Sequence, residues 1–445
     1  MTGNIKGNRL CNMTRTIHYS QKLSGTIKLY GDKSIAHRAA LLNSMAIGES
    51  HISNFCEGDD KLSMLTCLRG IGVEIEELTK CCIGAQTCLN IRSPGTAGLH
   101  EPNSVLYAGN SGTTMRLITG LLASQEFFSV ISGDQSLNKR PMGRIIVPLS
   151  KMGAKITGRQ DNSLPPLAIR GAKLRPIEYH LPVASAQLKS CLLIAGANID
   201  GQTTVHEPIA ARDHTERMMK AMGANIQRKD SMIQITKSDL NTTDIRVPGD
   251  TSSASFWIVA ATCHPNASLC IKGVGLNPTR TGLFDILTAM GANIRIENKT
   301  LEAGEPSGDV FIESGELKGI EISGELIPRV IDEIPILALA ACFAKGKTII
   351  RNAEELRLKE SDRISCTVQE LRKLGANVTE LTDGMEIQGG KYLSGTECIS
   401  HADHRISMTL GIAGLLSKGH TTIVGSEAAS VSYPNFWDSL LSIQA

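Results

Sequence analysis

The sequence predicts an α/β protein built from six βαβαββ-like repeats, three in each of two domains. Three observations lead to this prediction. The chain has 445 residues, which is too many for one ordinary hydrophobic core. A glycine signature that ends a helix recurs five times, and a buried helix with a polar start recurs six times. Six repeats with the same order of strands and helices would account for both recurring features.

The glycine signature consists of an amphipathic helix, a terminal glycine and a short strand. The glycines are Gly72, Gly153, Gly223, Gly291 and Gly375. Glycine adopts the left-handed conformation that ends helices without a steric penalty. Runs of alternating polarity follow, such as Ile294–Ile296, and predict strands. The spacing of the glycines indicates units of roughly seventy to eighty residues.

The second recurring element is a short helix that is apolar nearly all round and opens with polar residues. The six openings are Lys33-Ser34, Asn110-Ser111-Gly112, Ser185-Ala186-Gln187, Thr251-Ser252-Ser253, Asp332-Glu333 and Asp403-His404-Arg405. Helices that are apolar on every side are buried at the centre of a domain. Polar starts that face one cleft would favour anionic ligands there, because helix dipoles are positive at the N-terminus.

The chain is expected to cross between the domains twice. At Leu29–Gly31 and at Val247–Gly249 a strand-like run meets glycine. These crossings place one domain at residues 31–247 and the other at residues 1–30 plus 248–445. The active site is expected in the cleft between them.

Composition excludes several classes of protein. Hydrophobic residues make up 41% and charged residues 20%, as in soluble globular proteins. The formal net charge is +2, so neither nucleic acid nor a membrane surface is indicated as a partner. The 12 cysteines include no Cys-x-x-Cys pair, which predicts free thiols in a reducing cytosol rather than a zinc or redox motif. Residues 1–19 are compatible with a transit peptide or a loosely attached extension.

Three motifs in the first predicted domain are typical of anion sites. Lys33 and Ser34 stand at a helix start with Arg38 one turn later, which suits a phosphate cradle. Gly112 lets a ligand approach the backbone. Arg140 precedes a helix-starting proline, where a guanidinium can hold a carboxylate or phosphate with two hydrogen bonds. Taken singly, the Lys33-Ser34 and Gly112 motifs are explained equally well as ordinary capped helices.

The second predicted domain carries three further candidates. Asp332 opens an apolar helix, Lys359–Arg363 is dense in charge, and Asp403–Arg405 opens the last apolar helix. A simple N-cap, a surface ion-pair ladder and a capped helix with a surface histidine explain them one by one. Their position at corresponding points of six repeats favours a shared anionic site instead.

Taken in order, these motifs resemble the signature set of the 5-enolpyruvylshikimate-3-phosphate synthase family. The matching segments are Asp32–Ser34, Asn110–Thr113, Arg140–Gly143, Ser185–Gln187, Asp332–Glu333, Lys359–Arg363 and Asp403–Arg405. The resemblance spans about residues 20–440. It implies two inverse α/β barrel domains that close over the substrates, with no metal and no organic cofactor. The implied reaction moves the enolpyruvyl group of phosphoenolpyruvate to the 5-hydroxyl of shikimate 3-phosphate and releases phosphate, in the shikimate pathway of aromatic amino-acid biosynthesis.

The resemblance also implies a role for each site residue. Shikimate 3-phosphate would be held by Lys33, Ser34, Arg38, Ser185, Gln187, Arg212, Asp332 and Lys359. Phosphoenolpyruvate would be held by Lys33, Gly112, Arg140, Gln187, Arg363 and Arg405. Asp332 would take the proton of the attacking hydroxyl. Glu360 would protonate the methylene carbon and later remove that proton, while Lys33 would assist the leaving phosphate. A cytoplasmic monomer without nucleic-acid or membrane partners is expected.

One segment departs from the family pattern. Many members carry a lysine before a Phe-Pro pair near the C-terminus, whereas Ala429–Pro434 contains none. Ser185–Gln187 and Arg212–His214 resemble a second branch that also lacks this lysine and tolerates the inhibitor glyphosate. Tolerant members have alanine at the position of Gly112, so this glycine predicts a glyphosate-sensitive enzyme.

Three alternatives remain open at this point. A sister enolpyruvyl transferase that acts on UDP-N-acetylglucosamine shares the fold, but it usually has a reactive cysteine where this chain has Gln135. RNA 3′-phosphate cyclases share the fold too, yet the sequence has no basic stripe for nucleic acid. A non-catalytic repeat scaffold would need no Asp332, Glu360 or Arg405 at helix starts.

Overall fold

The computed structural model describes residues 13–78, 87–390 and 392–444. The strands are β1 (Thr14–His18), β2 (Leu23–Lys28), β3 (Ile47–Ser53), β4 (Glu74–Leu78), β5 (Cys88–Pro94), β6 (Leu106–Tyr107), β7 (Phe128–Ser132), β8 (Lys155–Gly158), β9 (Leu164–Arg170), β10 (Glu178–His180), β11 (Gln202–His206), β12 (Ile226–Lys229), β13 (Met232–Thr236), β14 (Ile245–Arg246), β15 (Ala267–Gly275), β16 (Asn293–Glu302), β17 (Glu305–Glu313), β18 (Glu321–Ile322), β19 (Lys347–Ile350), β20 (Asn377–Leu381), β21 (Gly384–Gln388), β22 (Glu397–Ile399) and β23 (His420–Val424).

The helices are α1 (Lys33–Met45), α2 (Asp59–Gly70), α3 (Gly112–Ala123), α4 (Gly143–Met152), α5 (Arg159–Asn162), α6 (Ala186–Gly196), α7 (His214–Ala221), α8 (Thr251–Cys263), α9 (Gly282–Met290), α10 (Ile327–Val330), α11 (Ile334–Phe343), α12 (Arg363–Lys373), α13 (His404–Leu416) and α14 (Phe436–Ser442). Short 3-10 turns lie at Thr96–Gly98, Leu137–Lys139, Gly324–Leu326, Glu354–Leu358 and Ser426–Val431. No helix among the described residues is long and apolar enough to cross a membrane.

The described strands form six small sheets, and the mixed α/β prediction is confirmed. In the unit from β6 to β9 the first strand lies parallel to β7, and two antiparallel strands follow, in the order β6-β7-β9-β8. The sheets β10-β11-β13-β12 and β18-β19-β21-β20 have the same order. With the helices between their strands, these units have the predicted βαβαββ sequence. The sheet β22-β23-β1 has three strands.

Two sheets exchange their first strand. Strand β2 precedes α1 in the chain but pairs with β15, which follows α8. Strand β14 precedes α8 but pairs with β3, which follows α1. The two predicted crossover segments therefore lie side by side: the Asp32 N–H donates to the Pro248 carbonyl at 2.8 Å and the Asp250 N–H donates to the Tyr30 carbonyl at 3.0 Å.

Buried side chains form two hydrophobic clusters. One extends from Ile35 to Val247. The other combines Ile17–Leu29 with the segment from Ala254 to Ile443. Helices α1, α3 and α6 lie in the first cluster, and α8, α11 and α13 lie in the second, each buried along nearly its whole length. We call residues 31–247 the first half and the other described residues the second half.

The glycine signature behaves as predicted in five helices. The signature glycines have φ between 90° and 116°, the left-handed region in which glycine ends a helix. The sixth amphipathic helix, α14, ends at Ser442 without a glycine. The expectation of free thiols is confirmed for eight described cysteines. The expectation is wrong for Cys88, which is disulfide-bonded. The absence of a Cys-x-x-Cys pair does not exclude a disulfide between two cysteines with a different spacing. Cys11, Cys81 and Cys82 lie outside the described residues.

Candidate active site

The starts of the buried helices carry polar caps. Asp32, Ser111, Ser185, Asp250 and Asp403 each accept a backbone N–H from the first turn of their helix. The cap of α8 is Asp250, one residue before the predicted opening Thr251-Ser252-Ser253. The cap position of α11 is Glu333, whose side chain makes no capping bond. Ion pairs and hydrogen bonds between several of these starts, described below, place them around one cleft, where their dipoles favour anions.

Lys33 begins α1 and pairs with Asp60 of α2, with Nζ 2.7 Å from Oδ2. Burial opposes the charged ammonium, but the carboxylate of Asp60 outweighs it and raises the pKa of Lys33 above its ordinary value. Lys33 is therefore a protonated donor at neutral pH. Ser34 is half-buried beside it. Sequence reasoning missed Asp60; an aspartate pair at the start of α2 was the available signal.

Arg38 is placed differently from the other predicted cations. It is 2% exposed, and its guanidinium donates to Thr215 Oγ1 at 2.7 Å, Ser190 Oγ at 2.8 Å and the Ser34 carbonyl at 2.9 Å. Burial lowers the pKa of Arg38 to about 10. The side chain ties α1 to α6 and α7, and three of its five donors are already occupied.

A second group surrounds Gly112 at the start of α3. Arg116 Nη1 donates to Gln187 Oε1 at 2.7 Å, and Gln187 Nε2 donates to Thr113 Oγ1 at 2.9 Å. Arg140 Nη2 donates to Asn110 Oδ1 at 2.7 Å. Arg116 was not predicted, although an arginine one turn into an apolar helix was a visible signal. These contacts bring Gly112, Arg140 and Gln187 together as expected, with Ser185 capping the same helix as Gln187.

Asp332 lies two residues before α11 and does not cap it, so the N-cap interpretation of this residue is wrong. Its carboxylate contacts Arg212 Nη2 at 2.5 Å, Arg363 Nη1 at 3.5 Å and Lys359 Nζ at 3.8 Å. Burial opposes ionisation, but Lys359, Arg212 and the neighbouring arginines hold the pKa of Asp332 well below its ordinary value. Asp332 is thus a carboxylate surrounded by cations from both halves.

Glu360 lies on the other side of Arg363. Its carboxylate is 2.6 Å from Arg363 Nη2 and 3.7 Å from Arg140 Nη2 of the first half. Burial favours the neutral acid, yet Arg363, followed by His404 and Arg140, holds the pKa of Glu360 well below its ordinary value. Arg363 is 2% exposed and also bonds the cap Asp403 at 2.8 Å, so the surface-ladder interpretation of this motif is wrong.

Arg405 follows the cap of α13 and meets a buried ionic cluster at the crossover. Its Nη1 lies 3.6 Å from Glu333 Oε1. Arg280, which sequence reasoning missed, lies 3.8 Å from Glu333 and from the α1 cap Asp32, and 3.6 Å from the α8 cap Asp250. Nε and Nη1 of Arg405 are buried and make no hydrogen bond to any described residue. Arg405 and Lys33 line one pocket, so the two side chains border the same space.

The loop before Arg212 is held by a buried ion pair that the sequence did not reveal. Lys189 is fully buried and lies 2.9 Å from Glu207 and 2.7 Å from Glu216. Its Nζ donates to the Ala211 carbonyl at 3.3 Å, while Glu207 accepts the Ala211 N–H at 3.2 Å. Both backbone groups of Ala211 are therefore fixed, which positions the adjacent Arg212. Breaking such a pair is costly, because it leaves a buried charge without a partner.

Comparisons with known proteins agree with this geometry. The family model described as EPSP synthase (3-phosphoshikimate 1-carboxyvinyltransferase) matches residues 17–440. A 3-phosphoshikimate 1-carboxyvinyltransferase from Desulforamulus reducens is 49% identical over 97% of this chain and 99% of its own. One from Synechococcus elongatus is 51% identical over 94% of this chain and 93% of its own. The solved EPSP synthase from Acinetobacter baumannii superposes with a TM-score of 0.88 at 40% identity, covering 97% of this chain and 98% of that one.

Proposed function

The chain belongs to the EPSP synthase family, and from this premise we propose how its site residues divide the work. The protein is a 3-phosphoshikimate 1-carboxyvinyltransferase: it transfers the enolpyruvyl group of phosphoenolpyruvate to shikimate 3-phosphate in the shikimate pathway. The observation that carries the assignment of roles is the pair of carboxylates, Asp332 and Glu360, on either side of Arg363 in a cleft of cations.

The cations of the cleft bind the two anionic substrates. Arg405 offers buried donors with no hydrogen bond to a described residue, and Arg140 and Arg363 present guanidinium groups that suit carboxylate or phosphate. We assign Lys33, Gly112, Arg140, Gln187, Arg363 and Arg405 to phosphoenolpyruvate. Shikimate 3-phosphate is assigned to Lys33, Ser34, Arg38, Ser185, Gln187, Arg212, Asp332 and Lys359.

The two carboxylates serve as base and acid. Asp332 is ionised and accepts the proton of the attacking hydroxyl. Glu360 must carry a proton to deliver it to the methylene carbon, although its pKa is held low in the free protein. The anionic groups of phosphoenolpyruvate on Arg140 and Arg363 offset the charges that hold this pKa down, so binding raises it. Lys33, protonated beside Asp60, stabilises the departing phosphate.

The reaction is tested by phosphate release from phosphoenolpyruvate. Release should require shikimate 3-phosphate and should not occur with UDP-N-acetylglucosamine. Release that depends on the sugar nucleotide would contradict this assignment and favour the sister transferase. The assay reports a product, so it also excludes a non-catalytic scaffold.

We further propose that the two hydrophobic clusters are the cores of two domains, residues 31–247 and residues 1–30 plus 248–445. Arg212–Asp332 and Arg140–Glu360 join them across the cleft, while Asp213–Asn277 and His214–Glu305 join them beside it. The enzyme is proposed to act as a cytoplasmic monomer.

Ligand-driven closure is the first expected result. Because both substrates bridge cations of the two halves, binding should bring the halves together. Small-angle scattering with shikimate 3-phosphate and an unreactive phosphoenolpyruvate mimic should give a smaller radius of gyration than the ligand-free enzyme. Identical radii would contradict closure by the ligands, and would mean that Arg212–Asp332 and Arg140–Glu360 already hold the free enzyme closed.

Gly112→Ala should raise the inhibition constant for glyphosate more than the Michaelis constant for phosphoenolpyruvate. A methyl group at Gly112 would lie 2.8 Å from Arg116 Nη1 and 3.6 Å from Arg140 Nη1. The flexible end of Arg116 can shift, but the site becomes tighter for the longer inhibitor. Overpacking by one methyl costs about 1–3 kcal/mol, or roughly five- to 150-fold in binding.

Gly143→Ala is the matched control, since a methyl group there meets nothing within 4 Å. Both constants should stay near wild-type in that variant. An unchanged ratio of the two constants in Gly112→Ala would show that this glycine does not discriminate between substrate and inhibitor.

A further inference from the structure

Two histidines and a glutamate meet on one face of a sheet, apart from the cation-lined cleft. In the parallel pair of β10 and β11, His180 lies directly opposite His206. Glu178 stands two residues before His180 and so points to the same face. The imidazole rings stack with centroids 4.3 Å apart and planes 9° apart. His206 Nε2 lies 2.8 Å from Glu178 Oε1.

The three side chains have the chemistry and spacing of a metal site. One ligand atom from each residue lies within 4.8 Å of the other two. Two imidazole nitrogens and one carboxylate oxygen suit zinc and similar divalent ions, with water completing the tetrahedron. Bonds of about 2.0–2.2 Å require the ligand atoms to draw closer, so the stacked rings must rotate when an ion binds. Glu178 and His180 are exposed, so an ion has access from solvent.

We propose that Glu178, His180 and His206 bind one zinc-class divalent ion. The ion joins β10, the three-residue edge strand of its sheet, to the neighbouring β11. Such a link stabilises a short edge strand that has few hydrogen bonds of its own. The site is structural, because its residues lie outside the group assigned to the substrates.

A second histidine pair provides the comparison within the same chain. His18 and His420 are also directly opposite each other, on β1 and β23. Their rings are 5.9 Å apart and tilted by 43°. Across residues 13–78, 87–390 and 392–444, no carboxylate or thiol completes a group of three around this pair. The third ligand is what distinguishes the proposed site.

Calorimetric titration of the chelator-treated full-length enzyme with Zn²⁺ tests the proposal. Wild-type should bind one equivalent that the double variant His180→Ala/His206→Ala loses. Glu178→Gln should weaken zinc binding by roughly tenfold or more. Losing a group that only hydrogen-bonds to a metal ligand already lowers metal affinity by about that factor. The control His18→Ala/His420→Ala should bind like wild-type. Zinc should raise the thermal midpoint of wild-type and leave that of the double variant unchanged.

Cobalt(II) absorption separates this site from the cysteines. Binding through nitrogen and oxygen gives no thiolate charge-transfer band, whereas binding at a cysteine does. Absence of zinc binding in wild-type, the same equivalent in the double variant, or a thiolate band for it would overturn the proposal. The double variant should keep wild-type turnover, which shows that it folds and separates this result from any failure of the catalytic assignment.

Discussion

Glu360→Gln is expected to lower kcat by roughly two to four orders of magnitude, the usual scale for a general acid–base group. Glutamine preserves the shape of the side chain and can still bond Arg363, which lies 2.6 Å away in the wild-type protein. The amide cannot deliver a proton to the methylene carbon or remove it again. Folding and substrate binding should therefore survive while turnover does not.

The protonation state of Glu360 supplies a second readout of the same role. Arg363, followed by His404 and Arg140, holds the pKa of this carboxyl low in the free enzyme, and phosphoenolpyruvate offsets the charges of Arg363 and Arg140 when it binds. The pKa of Glu360 then rises, so binding should take up protons from solution. Calorimetry in buffers with different ionisation enthalpies measures the number of protons taken up on binding. Glu360→Gln should take up fewer protons than wild-type, because the protonation of Glu360 is missing.

Glu380→Gln is the matched control for both readouts, since Glu380 also pairs with an arginine, Arg357 at 3.0 Å, within the second half. It should retain wild-type turnover and proton uptake. Near wild-type turnover in Glu360→Gln would remove this residue from the mechanism. Loss of turnover together with equal loss of substrate binding would assign it a binding role instead.

Local signals in the sequence predicted the helix starts well. The caps Ser111, Ser185 and Asp403 lie within the predicted openings, and the cap Asp32 lies one residue before its own. Caps are visible in a sequence because a capping side chain and its N–H partner are at most three residues apart. The same locality explains the error at Asp332. A carboxylate before an apolar run reads as a cap, whereas its partners Arg212 and Lys359 are 120 and 27 residues away.

Pairing between residues that are distant in the chain could not be predicted from the sequence. The exchange of β2 and β14 between sheets depends on which strands meet in space, and hydrophobic periodicity does not identify a partner. The buried charges are a second example. Lys189, Arg280 and Glu333 resemble surface residues in the sequence. Their burial is stabilised by oppositely charged partners that only the folded chain brings together. The hydrogen bonds of Arg38 to Thr215 and Ser190 also join residues that are distant in the sequence.

Asp332→Asn is expected to lower kcat by a similar two to four orders of magnitude, because the amide cannot accept the hydroxyl proton. The side chain keeps its size, and its oxygen can still accept from Arg212, so the fold should persist. Asp285→Asn is the matched control, since Asp285 bonds Arg329 at the same 2.5 Å distance within the second half. Wild-type turnover in Asp332→Asn would exclude this residue as the base.

The pH profile then separates a base from a carboxylate that only positions cations. The pKa of Asp332 is held low, first by Lys359 and then by Arg212. In the wild-type enzyme, protonation of this group should therefore lower kcat/KM (the acid limb of the profile) only below the ordinary aspartate range, which lies near pH 4. Lys359→Met removes a cation that favours the charged form, so the pKa rises and that limb moves to higher pH. Lys345→Met, which removes the exposed partner of Glu316, should leave it in place. If the acid limb of kcat/KM stays at the same pH in Lys359→Met, proton acceptance by Asp332 does not limit the reaction. That conclusion would hold whatever the turnover of Asp332→Asn.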